Sequence, residues 1–207
     1  MITVIIRDSG EPQVLKLTYE NLWRELKDIA NARLEVGSWG TSDNPYICWV
    51  EPDCLVNSGY FSSMVGLLKK PANRKISVLS SSVGINTWAN RIYGYRLGET
   101  YADGVIPTRE KKGTYLYPVQ IAYIPGAVMR VNLLRPVLDE LKPGNGWEND
   151  LVHLSTRLSL AFWNQKKRVY INPNTTYVTT EDYVNDIGKF DPKPGNAPDV
   201  FSREGIT

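Results

Sequence analysis

The stretch that most limits how this chain can fold is NPYICWVEPDCLV, residues 44–56. Tyr46, Ile47, Cys48, Trp49 and Val50 follow one another without a polar break. A run so short and so uniformly apolar suits a strand covered on both faces, the state of a strand inside a parallel sheet. The run stops at Glu51-Pro52-Asp53, two carboxylates one residue apart with a proline stiffening the step. Open α/β sheets bind ligands at the carboxyl ends of their strands. Glu51 and Asp53 are therefore candidates for holding a ligand, against the plainer reading of an ordinary polar strand end.

The rest of the chain alternates in the same way. ITVII, residues 2–6, is β-branched and predicts a first strand, followed by the turn-rich RDSGEP. Leu15, Leu22, Leu26 and Ile29 share a helical face and predict a helix over 12–30, with Pro12 near its start. Residues 35–44 read as a loop. Phe61, Met64, Val65 and Leu68 predict a second helix after Asn57-Ser58-Gly59. A strand follows at 76–79, then an ambiguous segment at 84–104 that reads as a glycine-interrupted helix and loop. A charged turn at 108–114 precedes a strand over 114–124, in which Pro118 argues for an edge or a bulge. Pro125-Gly126-Ala127 turns the chain into a short helix carrying Leu133 to Leu141. GWEND, residues 146–150, opens a helix lined by Leu151, Leu154, Leu158 and Phe162, and RVYINP at 168–173 is a strand. Residues 188–207, rich in proline and glycine, read as a loosely packed tail. The expected fold is α/β, with one mixed, mostly parallel sheet flanked by helices and residues 1–187 as a single domain.

Composition narrows the function classes. With 24 basic against 22 acidic residues the net charge is +2, which does not demand nucleic acid. Arg109, Lys111, Lys112, Lys166, Lys167 and Arg168 would face DNA only if they converge in space. The two cysteines, Cys48 and Cys54, build no disulfide framework, and a single histidine excludes a His-rich metal site. No stretch has the length of a membrane span, and MITVII has no basic leader ahead of it, so the expected setting is cytoplasmic. Six tryptophans and twelve tyrosines are expected chiefly in the core, the other use being platforms for a sugar or a base.

Taken together, ITVIIRDSGEP, YICWVEPDCLVNSGYFSSMVGLL, IAYIPGAVMRVNLLRPV and GWENDLVHLSTRLSLAFWNQKKRVYINP resemble, in order, segments of the family A fold of nucleotide-sugar-dependent glycosyltransferases, in particular their large inverting family 2. The resemblance implies a Rossmann-like catalytic domain that moves one sugar from a nucleotide-diphosphate sugar to a hydroxyl acceptor. It implies that Asp53 matches the last acid of an Asp-x-Asp motif that binds Mn or Mg between the two phosphates, and that Glu51 matches the first acid, which contacts the ribose or the metal. Arg7 and Asp8 match the nucleoside loop, and Gly126 and Ala127 a turn that lets backbone approach the donor closely. Glu148 or Asp150 is implied as the base that takes the acceptor's proton, and His153, one turn on, as a further metal-ligand candidate.

The sequence departs from that pattern in places. It reads Glu-Asn-Asp where the family has Glu-Asp. EVGSWGTSDN does not match the acid-rich turn after the family's second strand, and the Gln-x-x-Arg-Trp motif of processive synthases is absent. A glycan, a protein or lipid carrier, a small molecule or a hydroxylated DNA base remain open as acceptor. Two other readings stand beside this one: a non-catalytic sugar- or nucleic-acid-binding domain, and a sugar nucleotidyltransferase, whose Gly-rich phosphate loop RDSGEP does not supply.

Overall fold

The structure, a computed structural model, describes residues 1–8, 12–85, 91–95, 105–107, 116–119, 121–141 and 151–179. Its strands are β1 (Ile2–Arg7), β2 (Ala32–Gly37), β3 (Tyr46–Val50), β4 (Leu55–Val56), β5 (Ile76–Ile85), β6 (Arg91–Tyr95), β7 (Val105–Pro107), β8 (Tyr117–Val119), β9 (Ile121–Ala122), β10 (Val128–Arg130) and β11 (Arg168–Thr179). The helices are α1 (Pro12–Leu26), α2 (Tyr60–Lys69), α3 (Val131–Leu141) and α4 (Leu151–Asn164). Seven strands lie side by side in the order β2-β1-β3-β10-β5-β11-β4. The long strands β2, β1, β3, β5 and β11 all point one way, while β10 and β4 run against them. This is the mixed α/β sheet that the strand and helix alternation predicts.

Every residue of β3 is buried, as its unbroken apolar run requires. Tyr46, Cys48 and Val50 join Val4, Ile6, Leu22, Phe61 and Met64 in one core layer. Ile47 and Trp49 face the other way, with Leu134, Val137, Leu158 and Phe162. The period-two alternation of strand side chains thus splits one apolar run between two layers, α1 and α2 covering one face and α3 and α4 the other.

Several elements differ from the sequence reading. The first helix ends at Leu26, and Asn31 takes a left-handed φ of 56° before β2. Residues 35–37, read as loop, belong to that strand. Its alternation of half-buried Ala32 and Leu34 with exposed Arg33 and Glu35 is that of an edge strand with one face in water. β5 runs on to Ile85, past Ser80, Ser81 and Ser82, which are buried. Ser80 Oγ donates to Tyr123 O, and the Tyr60 hydroxyl meets Ser81 Oγ, so tertiary partners make polar residues compatible with a buried strand. Residues 91–95 form a strand, not a helix. β11 continues to Thr179, with an irregularity between Asn172 and Thr176. The strand expected over 114–124 is divided into β8 and β9, and β8, which contains Pro118, pairs with β11. Residues 108–114 and 188–207 lie outside the described residues.

Among the described residues most aromatic side chains are core, including Trp49, Tyr60, Phe61, Phe162 and Tyr177. Trp23, at 49% exposure, and Tyr19, at 39%, are the departures, both on the outer side of α1. Cys48 and Cys54 are buried and not bonded to each other, and burial pushes both thiols up.

Arg130 ties the end of α2 to the sheet. Its guanidinium donates to Ile76 O at 2.8 Å, to Asn73 O at 3.3 Å and to Leu68 O, and it sits 5.7 Å from the centroid of the Tyr46 ring. Arg130→Ala should cost about 3 kcal/mol, since three carbonyls lose a charged donor at once. Urea unfolding checks this, and a loss below about 1 kcal/mol would show water replacing the guanidinium without difficulty.

Candidate functional site

The register of the sheet brings the site together. β1 and β3 run parallel with Ile6 opposite Val50, which carries Arg7 to the side of Glu51. Arg7 Nη2 lies 2.7 Å from Glu51 Oε2. The glutamate side chain is fully buried and the arginine 28% exposed, so the acid lies beneath and the cation reaches the rim. On the far side of β3, β10 runs antiparallel with Val128 opposite Cys48. That register puts the 125–127 turn against the end of β3, where Gly126 N donates to Trp49 O at 2.7 Å.

Aromatic rings back the pair. Trp39, in the segment after β2, stacks on Trp49 with centroids 5.6 Å apart and planes 5° from parallel. The Arg7 guanidinium lies 5.6 Å from the Trp39 centroid, a cation–π arrangement that helps fix its plane. Trp49 Nε1 donates to Gly40 O, which anchors the stack to the same segment.

The acid turn itself is held from two sides. Thr18 Oγ1, from α1, reaches Pro52 O at 2.5 Å and Cys54 O at 3.1 Å. Asn21 pairs with the backbone of Val56 through both halves of its amide, donating to Val56 O and accepting from Val56 N. From β11, the Tyr177 hydroxyl accepts the Glu51 N–H at 3.1 Å. Asp53 is half-buried within this held turn.

Burial pushes the Glu51 carboxyl up from 4.5 to about 7, aided by Asp53 and opposed by the Arg7 charge beside it. Glu51 Oε1 is buried with no hydrogen-bond partner among the described residues. A carboxylate held this way at the end of a central strand is where a fold gives up stability for a site.

Of the residues singled out from sequence, Arg7, Glu51 and Gly126 are thus gathered at one edge of the sheet with Asp53 in the adjoining turn. Asp8 follows β1 and is exposed. Ala127 is fully buried in the core layer of Trp49 and Met129. Glu148 and Asp150 lie outside the described residues. His153 falls within α4, and its side chain is likewise outside the description. Gly126 needs to be glycine for two local reasons: its φ is +79°, and a Cβ there would sit 2.5 Å from the Tyr177 ring. Sequence reasoning passed over Trp39, Thr18 and Tyr177. Trp39 carried a weak signal as one of the many aromatics; Thr18 and Tyr177 carried none, because their roles depend on contacts across more than thirty and more than a hundred residues.

No family model matches the sequence, and no curated protein matches it. Solved structures do match. S. aureus TarS 1–349 superposes with a TM-score of 0.51 at 9% identity, over 89% of this chain and 62% of that one. GalNAc-T7, in a structure with UDP, GalNAc and Mn2+, superposes with a TM-score of 0.53 at 12% identity, over 87% and 44%. The fold is that of a glycosyltransferase A-type domain. This chain spans less than two thirds of the length of either neighbour, and at these identities the likeness is one of fold. In this glycosyltransferase fold the buried Arg7–Glu51 pair and the Asp53 turn occupy the carboxyl edge of the sheet, where α/β folds bind ligands. Among the described residues no helix is long and apolar enough to cross a membrane.

Among the described residues no cluster of three or more His, Cys, Asp and Glu is assembled that would cage a metal by itself. Asp53 and Glu51 fit a shared site instead. A hard cation takes oxygen ligands, one or two carboxylates suffice where a diphosphate provides the others, and the buried Glu51 Oε1 is an acceptor still to be satisfied.

Proposed function

We propose that this protein is a glycosyltransferase that moves a single sugar from a nucleotide-diphosphate sugar to a hydroxyl acceptor, with inversion and with help from Mn or Mg. The observation that carries the reading is the acid turn at the end of β3, held in place and flanked by a partly exposed arginine, within a glycosyltransferase A-type fold. A divalent ion held by Asp53, with Glu51 beside it, would supply neutralisation of the charge that develops on the departing diphosphate.

The chain's own residues do the rest. Arg7 places a fixed cation at the rim, its plane set by Glu51 beneath and Trp39 alongside, which suits binding of the donor's phosphates. Gly126 brings its turn to the same edge, its N–H on Trp49 O and its carbonyl on the Tyr60 hydroxyl. Glu148 or Asp150, in the segment leading to α4, takes the proton from the acceptor hydroxyl as its oxygen attacks the anomeric carbon. His153 is a further candidate to face the cation. The acceptor stays a hydroxyl-bearing glycan, carrier, small molecule or hydroxylated DNA base.

Thermal-shift measurements with nucleoside diphosphates and their sugars, with and without Mn2+, test the reading. A ligand at 100 times its Kd should raise stability by about 2.7 kcal/mol, a shift of several degrees. UDP is the first probe, because the GalNAc-T7 structure holds UDP with Mn2+. Absence of any shift across all nucleoside diphosphates would sink the donor assignment. Sugar or DNA binding without metal-dependent donor hydrolysis would favour the non-catalytic reading.

A further inference from the structure

We infer that Tyr177 is a positioning residue that locks the acid turn and the glycine turn into one rigid unit. This inference rests on the glycosyltransferase reading of the site. Tyr177 stands on β11, opposite Val56 of β4. From there its side chain reaches back over the sheet, and it is fully buried. Its hydroxyl accepts the Glu51 N–H at the start of the turn, while Thr18 Oγ1 holds the Cys54 carbonyl at its end. Asp53 lies between those two fixed points. The ring fills the place a side chain on residue 126 would take, 2.5 Å from a Cβ built there. Tyr60 completes the arrangement: its hydroxyl meets Gly126 O at 2.6 Å and Ser81 Oγ at 2.9 Å.

The physical case lies in the hydroxyl. A phenylalanine would fill nearly the same volume, yet the fold buries a polar phenol here, which costs free energy unless the hydroxyl is hydrogen-bonded. What it gains is the Glu51 amide, a backbone donor otherwise buried at the mouth of the site. Tyr177 therefore sets the position of the Glu51 and Asp53 carboxylates relative to Gly126 without itself touching the donor. Displacing a carboxylate by a fraction of an ångström weakens a cation site whose oxygen distances are narrowly set.

The decisive variant is Tyr177→Phe. Two readouts are taken on the full chain: the amide exchange rate at Glu51, and calorimetric affinity for Mn2+ in the presence of UDP. Exchange at Glu51 should speed up and Mn2+ affinity should fall about tenfold, in keeping with the loss of one buried hydrogen bond. Gly126→Ala, which drives the ring off its seat while keeping the hydroxyl, should give the same loss and covers the case in which Tyr177→Phe folds poorly. Leu134→Ala is the control. It hollows the opposite core layer, lowers stability and should leave Mn2+ affinity unchanged. Wild-type affinity in folded Tyr177→Phe overturns the inference, as does an equal loss in Leu134→Ala. If the unaltered protein binds no Mn2+ with any nucleoside diphosphate, the glycosyltransferase reading falls, and the exchange rate alone then decides for Tyr177: an unchanged rate at Glu51 overturns the positioning role.

Discussion

Asp53→Ala should lower metal-dependent donor hydrolysis by about a thousandfold or more while the protein stays folded. On the proposed reading, the large effect follows from the cation that this carboxylate would hold. A departing nucleoside diphosphate gathers negative charge, and the cation that offsets it needs an anionic oxygen ligand from the protein. The intact fold follows from how the turn is held. Thr18 bonds the carbonyls of Pro52 and Cys54, and Tyr177 bonds the amide of Glu51, so the backbone keeps its path without the Asp53 side chain. Hydrolysis rates over a Mn2+ titration, run beside circular dichroism, check both halves. Full turnover in a folded variant would remove the metal role from Asp53.

Glu51→Gln should stabilise the metal-free protein at pH 8 while weakening its activity. The Glu51 carboxyl is raised from 4.5 to about 7 in the folded state, because burial outweighs the attraction of Arg7, with Asp53 adding to the rise. Below pH 4.5 the group is neutral in both folded and unfolded chains. As pH rises from 4.5 to about 7 the unfolded chain ionises first, and the folded state loses stability relative to it. The gap is worth about 3 kcal/mol, complete above pH 7. Glutamine has the shape of the neutral acid and escapes the loss, so variant and parent should match near pH 4 and diverge by up to about 3 kcal/mol at pH 8. Arg7, Asp53, Tyr177 and Cys54 are the polar and titratable neighbours that set this balance. Urea unfolding across that range measures it. A variant less stable than the parent at pH 8 would mean that the ion pair returns more than burial takes. Reduced activity alongside raised stability is the mark of a residue kept for function.

The central strand was readable because burial on both faces imposes an unbroken apolar run, and YICWV has one. The α1 and α2 faces were readable from their periodic leucines, valines and aromatics. Where polar residues are satisfied by distant partners, the reading stopped short. β5 was cut at Leu79 because three serines follow, and the partners that make them tolerable lie on other elements, such as Tyr123 and Tyr60. Residues 35–37 at the end of the edge strand β2 were read as loop, since one half-exposed face dilutes its apolar signal. Glu51 and Asp53 drew attention because acids at a strand end are a local signature, while Arg7 and Gly126 entered only through the family resemblance.

What the amino-acid order by itself determined was the strands and helices whose pattern is local, such as β1, β3, α1 and α2, and the placing of two acids at the end of a buried strand, since hydrophobic periodicity and turn chemistry act over a few residues. Only the tertiary structure decided that Glu51 is roofed by Arg7, that Trp39 stacks beside them, and that Tyr177 grips the turn from 126 residues away. Those contacts arise from parallel register and sheet order, which long-range packing sets and no short window of sequence contains.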